Sequence, residues 1–143
     1  PSAESAPVHA KAAGLYMICT LSKHAAEKKG FQDALMLDYR GYVAEATGAN
    51  VFFLMDDDKL HTPLADCFLN GITRQTVIGL AKDVGIEVVE RHIKPEEMAQ
   101  ATECFLTGTA AEVTPVSQIQ DYSFTPGNTT RILFDRYFDL VNS

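Results

Sequence analysis

The 143 residues carry 46% hydrophobic and 22% charged side chains, which is the composition of an ordinary one-domain globular chain and excludes a disordered or fibrous one. Nineteen acidic against twelve basic side chains leave a formal charge of -7, so the surface is not one built to neutralise nucleic-acid phosphates. No run approaches the roughly 18 apolar residues of a membrane-spanning helix, and Cys19, Cys67 and Cys104, odd in number and without a CxxC pair, argue against a disulfide framework or a structural zinc site and for a reducing cytoplasm.

In chain order, Ala12 to Gly30 reads as one helix. Leu15, Ile18, Ser22 and Ala25 form a small-to-apolar stripe, and Lys28-Lys29-Gly30 closes it with cations and a stop. Ala34 to Leu37 suits a buried strand, Asp38-Tyr39-Arg40-Gly41 a type I turn, and Tyr42 to Glu45 the returning strand. Val51 to Met55 predicts another strand, joined through the turn Asp56-Asp57-Asp58 to a short partner at Lys59 to Thr62. A loop containing Pro63 follows. Gly71-Ile72-Thr73 then opens a second helix whose expected buried stripe is Val77, Leu80, Ala81 and Val84, with Gly85 ending it. Ile86 to Ile93 reads as a strand, Pro95-Glu96-Glu97 as the start of a short helix, and Glu103 to Thr107 as a further strand ending in Gly108-Thr109-Ala110-Ala111. A last helix from about Thr129 to Val141 is expected to bury Phe134, Tyr137, Phe138 and Val141. Hairpins early and alternation later predict a mixed α+β or α/β domain. No internal repeat is visible.

Three loop-proximal sites could carry chemistry. Lys11 enters a helix among Ala10, Ala12 and Ala13. A lysine at such a place is ordinarily a solvated surface residue, but a cation at a helix start is unfavourable, and small apolar neighbours lower an amine pKa by desolvation. Glu45 stands on an otherwise apolar strand, where it either faces solvent or is buried with a partner. Gly71-Ile72-Thr73 opens a helix whose free N–H groups either bind a phosphate or are simply capped; Gly108-Thr109-Ala110, after a strand, raises the same two readings. The Asp56 to Asp58 run lacks the rest of a calcium loop and reads as a solvated turn. His9, His24, His61 and His92 have no metal-ligand spacing, and the cysteines read as small core fillers.

Four stretches stand in order: Lys11-Ala12-Ala13-Gly14-Leu15-Tyr16, Tyr42-Val43-Ala44-Glu45-Ala46-Thr47-Gly48-Ala49-Asn50, Gly71-Ile72-Thr73-Arg74, and Gly108-Thr109-Ala110-Ala111-Glu112-Val113-Thr114-Pro115-Val116. Together they resemble the class IV pyridoxal-phosphate aminotransferases, and within them most closely the branched-chain amino-acid aminotransferases. The resemblance runs from about Ala10 to Val116. It implies the cofactor-binding C-terminal domain of the D-amino-acid/branched-chain aminotransferase-like fold, with Lys11 as the Schiff-base lysine and pyridoxal 5'-phosphate as cofactor. By the same resemblance Tyr16 would bond the cofactor's phenolate oxygen and Glu45 would face the pyridine nitrogen. Gly71, Ile72 and Thr73, with Gly108 and Thr109, would hold the phosphate, and the turn through Thr109, Ala110 and Ala111 would meet the substrate carboxylate.

The implied activity is ping-pong transfer of an amino group from leucine, isoleucine or valine to 2-oxoglutarate. Relatives of the same fold are D-amino-acid and amine transaminases and aminodeoxychorismate lyase. Lys23, Lys28 and Lys29 are the competing amines; the last two lie where the helix C-terminus would stabilise the ammonium. Leu15, Ala46 and Ala49 depart from the usual branched-chain pattern of Asn, Gly and Glu, while Lys11, Tyr16 and Glu45 keep theirs, so the departures bear on substrate preference. The small N-terminal domain of the group has no counterpart here. The chain, which opens with Pro1, is accordingly expected to be the large domain, residues 1–143, of a longer homodimeric cytoplasmic enzyme with amino-acid and 2-oxo-acid substrates.

Overall fold

The computed structural model describes residues 16–21, 32–38, 40–46, 49–64, 71–108, 112–119 and 121–142. The strands in chain order are β1 (Tyr16–Leu21), β2 (Gln32–Leu37), β3 (Val43–Ala46), β4 (Asn50–Met55) and β5 (Leu60–Pro63), followed by helix α1 (Ile72–Asp83). Then come β6 (Val88–Arg91), a 3-10 helix (Pro95–Gln100), β7 (Ala101–Gly108), β8 (Glu112–Ile119), β9 (Tyr122–Ser123) and helix α2 (Asn128–Val141). The strands form one sheet in the order β3-β2-β1-β8-β7-β4-β5-β6, with β9 beside β8. Among the described residues only β5 and β6 pair in parallel, which is the pairing that α1 connects. Mixed strands and helices match the α+β expectation.

The sheet curls on itself. Val43 at the start of β3, one end of the order, donates its N–H to Ile93 O just past β6, the other end, at 2.8 Å. Two cores follow from strand alternation. Val51, Phe53 and Met55 of β4 and Cys104 and Leu106 of β7 meet Leu35, Leu37, Val43, Ile93 and Val116 inside the curl. Their neighbours Phe52 and Phe105 face the other way, stack with centroids 5.0 Å apart, and are covered by Val77, Ile78 and Ala81 of α1 and Leu133 of α2. Cys104 is fully buried, as a core filler should be.

Several expectations change. The predicted helix from Ala12 to Gly30 is overturned by β1, which runs antiparallel between β2 and β8; residues 12–15 and 22–30 lie outside the described residues. Tyr-Met-Ile-Cys-Thr-Leu is β-branched, aromatic and apolar, and it is paired on both sides, so its tertiary place overrides a helical spacing of small residues. β8 did not stand out in the sequence as a strand, because Thr114, Pro115, Ser117 and Gln118 dilute its apolar signal. Pro63 ends β5 rather than lying in the loop after it. The second helix buries Arg74 and Ile78 besides the predicted Val77 and Ala81, with Leu80 and Val84 only partly covered. The last helix is also turned from its expected face. Thr130 and Leu133 are buried and Tyr137 partly so, while Phe134, Phe138 and Val141 are 42%, 52% and 52% exposed. The described elements of this chain line only one side of α2, so the aromatic stripe beside that side stays outside.

The predicted turns hold. Gly41 adopts φ 88° and its N–H reaches Asp38 O at 2.9 Å, while the Asp38 carboxylate accepts the N–H groups of Arg40 and Tyr42. Asp56 to Asp58 form an exposed turn, and Gly85, at φ 85°, follows α1.

Candidate active site

The site face is the one opposite the interior core. On β4 and β7, Asn50 is paired with Thr107, two positions from the stacked Phe52 and Phe105 and on the same face as they are. The Asn50 side-chain oxygen accepts the N–H of Gly71 at 3.3 Å. That bond brings the N-terminus of α1 to the end of β4 at which Asn50 is paired with Thr107 of β7. A Cβ placed on Gly71 would lie 2.9 Å from this Asn50 oxygen, so any larger residue there would have to displace the Asn50 side chain or the turn.

The α1 N-terminus suits an anion. Gly71, in the N-cap position, has no side chain to cap the helix, and no acidic residue stands in the first turn. The amide donors there and the positive end of the helix dipole are available to a negative ligand. Ile72 is 83% exposed, so any contribution it makes comes from its backbone N–H rather than its side chain. The Thr107 hydroxyl is fully buried among the same elements and has no hydrogen-bond partner among the described residues. A hydroxyl without a partner, near a helix start that has no side-chain cap among the described residues, fits a phosphate group. Asn50 and Thr107 are the residues that sequence reading missed. Both lie inside or next to quoted motifs, but only their cross-strand pairing reveals a shared place.

A second row lies one strand connection away. Met36 of β2 is paired with Tyr16 of β1 on one side and Glu45 of β3 on the other, which puts the Tyr16 and Glu45 backbones about 10 Å apart at the usual strand spacing. The pairing of β2 with β3 is bulged. Leu37 opposes Val43 and the next residue, Met36, opposes Glu45, so Ala44 is the extra residue. Val43 therefore joins the interior core while Glu45 turns to the face that also carries Asn50 and Thr107. Five positions separate Glu45 from Asn50, which limits the chain between them to about 17 Å.

Glu45 is partly buried, and desolvation alone pushes its carboxyl up to about 7 from the ordinary 4.5. Among the described residues no cation offsets that cost. A carboxyl in such surroundings suits a protonated ring nitrogen, whose charge would compensate the desolvation. The remaining predicted site residues, Lys11, Thr109, Ala110 and Ala111, lie outside the described residues, as do Lys23, Lys28 and Lys29; for Tyr16 only the backbone position is described. Among the described residues no cluster of His, Cys, Asp and Glu could hold a metal. His61 is engaged elsewhere, between Asp57 at 2.9 Å and Arg91 at 2.9 Å. No described helix is long and apolar enough to cross a membrane.

The profile of the class IV aminotransferases, Amino-transferase class IV, matches residues 1–119, and the chain belongs to that family. Within it the similarity runs to branched-chain enzymes. The probable branched-chain-amino-acid aminotransferase of Rickettsia felis is 51% identical over 116 residues, covering 81% of this chain and 40% of that protein. The branched-chain amino acid aminotransferase from Escherichia coli, a solved structure, matches with a TM-score of 0.72 at 37% identity, over 82% of this chain and 41% of that one. The Thermobaculum terrenum branched-chain enzyme, solved in its pyridoxal-phosphate form, matches with a TM-score of 0.73 at 43% identity, over 82% and 40%. The chain thus spans about two fifths of the length of these relatives.

Proposed function

We propose that this chain is the cofactor-binding domain of a pyridoxal-phosphate-dependent transaminase that moves the amino group of leucine, isoleucine or valine to 2-oxoglutarate. The observation that carries the reading is Glu45: a carboxyl turned by a bulge onto the same face as an anion-ready helix end, desolvated and without a cation among the described residues, in a class IV chain. The greater length of the relatives leaves room for an N-terminal domain of the same polypeptide to complete the substrate pocket. The whole enzyme is read as a cytoplasmic homodimer.

Bound here, pyridoxal phosphate would supply an electron sink for the pair left on the substrate Cα when its proton departs. Each residue of the chain has a separate task. The N–H groups of Ile72 and Thr73, with Gly108, Thr109 and the Thr107 hydroxyl beside them, would bind the phosphate and fix the ring's position. Glu45 would hold a proton on the ring nitrogen, and the cation so formed would bring the Glu45 carboxyl down from about 7 into its ionised form. Tyr16 would orient the ring through its phenolate oxygen. Lys11 would serve as the covalent anchor and, once released, as the base that takes the Cα proton and returns it to the neighbouring cofactor carbon. The turn through Thr109, Ala110 and Ala111 would offer N–H groups to the substrate carboxylate. Donor and acceptor would use the site in turn, giving ping-pong kinetics.

The test is the full-length protein with leucine and 2-oxoglutarate. Glutamate formation, borohydride fixation of the cofactor on Lys11, and a loss of turnover of about 10²-fold or more in Glu45→Gln with cofactor retained are expected. Pyruvate release from aminodeoxychorismate in place of glutamate formation, or near-full turnover of Glu45→Gln, would overturn it.

A further inference from the structure

The first turn of α1 contains a residue whose placement is electrostatically costly. Arg74 is the third residue of the helix, where the dipole disfavours a cation, and it is 1% exposed. Its guanidinium does not reach solvent. It donates to Pro63 O at 2.9 Å, at the end of β5, and to Glu90 Oε1 at 3.0 Å, on β6. These strands lie at the edge of the sheet and are the two that α1 connects. A single nitrogen, Nη2, bonded to both strands sets the height and tilt of the helix start above the sheet. The N–H groups of Ile72 and Thr73 belong to that same turn, and Asn50 holds it from the other side through Gly71.

We propose that Arg74 is the positioning residue of the phosphate grip: its two-strand anchor holds the first turn of α1 where its amides meet the cofactor phosphate, without Arg74 touching the cofactor. The ion pair with Glu90 neutralises the guanidinium, so the contribution is geometric rather than a long-range attraction for the anion. The proposal rests on the reading of α1 as the phosphate site given above.

Two ligands that differ only in the phosphate separate the possibilities. Binding of pyridoxal phosphate and of pyridoxal is measured by absorbance on the cofactor-stripped full-length protein, for the native sequence, Arg74→Lys, Arg74→Met and Glu90→Gln. The native protein is expected to prefer pyridoxal phosphate strongly. Arg74→Met should shrink that preference about tenfold while leaving pyridoxal affinity unchanged. Arg74→Lys, which keeps the charge but carries its nitrogen on a stem one bond shorter than Nη2, should shrink it by a smaller factor. Glu90→Gln leaves the Pro63 bond intact and keeps the question answerable if Arg74→Met does not fold; a shrinkage of about twofold to threefold is expected. An unchanged ratio in Arg74→Lys and Glu90→Gln, or an equal loss of both ligands, would overturn the positioning role. A native protein that does not distinguish the two ligands would instead overturn the phosphate-site reading beneath it.

Discussion

The side-chain oxygen of Asn50 takes the N–H of Gly71 across 3.3 Å, and through that bond the first turn of α1 is tied to the ends of β4 and β7. A methyl group on residue 71 would press on the Asn50 oxygen at 2.9 Å and push the turn outward. Gly71→Ala should therefore weaken cofactor binding by about tenfold, near 1.4 kcal/mol, with a smaller effect on the melting temperature. Equilibrium dialysis of pyridoxal phosphate against the variant and native full-length proteins checks this. Unchanged affinity would mean that the turn is not the phosphate contact.

Glu45 makes stability depend on pH. Its carboxyl titrates near 7 in the folded chain and near 4.5 when unfolded, so the folded form binds more protons between those values. The stabilisation is complete below pH 4.5 and is lost as the pH rises through 7. Because the group keeps some contact with water, the loss is discounted to about 1 kcal/mol. Cofactor-free Glu45→Gln should thus gain about that much relative to the native protein between about pH 5 and pH 8. Chemical unfolding at the two pH values measures it, and a gap that does not move with pH would contradict the burial of this carboxyl.

α2 is capped from another element. Glu103 of β7 is buried, and its Oε1 accepts both the Thr130 N–H at 2.8 Å and the Thr130 hydroxyl at 2.7 Å. The cap compensates for Gly127, which has no capping side chain of its own. Glu103→Ala should cost about 2 kcal/mol. Gly127→Ala should also destabilise, since its Cβ would fall 2.6 Å from the other Glu103 oxygen. Thermal unfolding of the two variants checks both, and a neutral Gly127→Ala would show that the carboxylate can move aside freely.

The same helix separates buried from exposed apolar residues. Leu133 is wholly buried under the second core, whereas Phe138 is half exposed and stacks on Phe134 with centroids 6.2 Å apart. Leu133→Ala should cost about 3 kcal/mol and Phe138→Ala about 1 kcal/mol or less, as read by chemical unfolding. The reverse ranking in the full-length protein would mean that the Phe138 face is covered there.

Local chemistry made much of this legible. The Asp38–Gly41 turn, the Gly85 stop, the Pro95 helix start and the apolar run of β4 are written in short stretches, because each depends on neighbours a few residues away. β1 was not legible. Its small residues mimic helical spacing, and only pairing with β2 and β8, distant in sequence, makes it a strand. The inward face of α2 was misread for a related reason. Its apolar residues exceed what one face can bury, and the elements packed beneath it select Leu133 over Phe134 and Phe138.

By its sequence alone this protein declares its class, because Lys11, Tyr16, Glu45, Gly71-Ile72-Thr73 and Gly108-Thr109-Ala110 are residue types in an order that needs no folding to be read. Tertiary structure decided what the described positions among them do physically. Which way Glu45 faces depends on a bulge that exists only once β2 and β3 pair. The roles of Asn50, Thr107 and Arg74 arise from contacts with residues 11 or more positions away, and no local pattern encodes them.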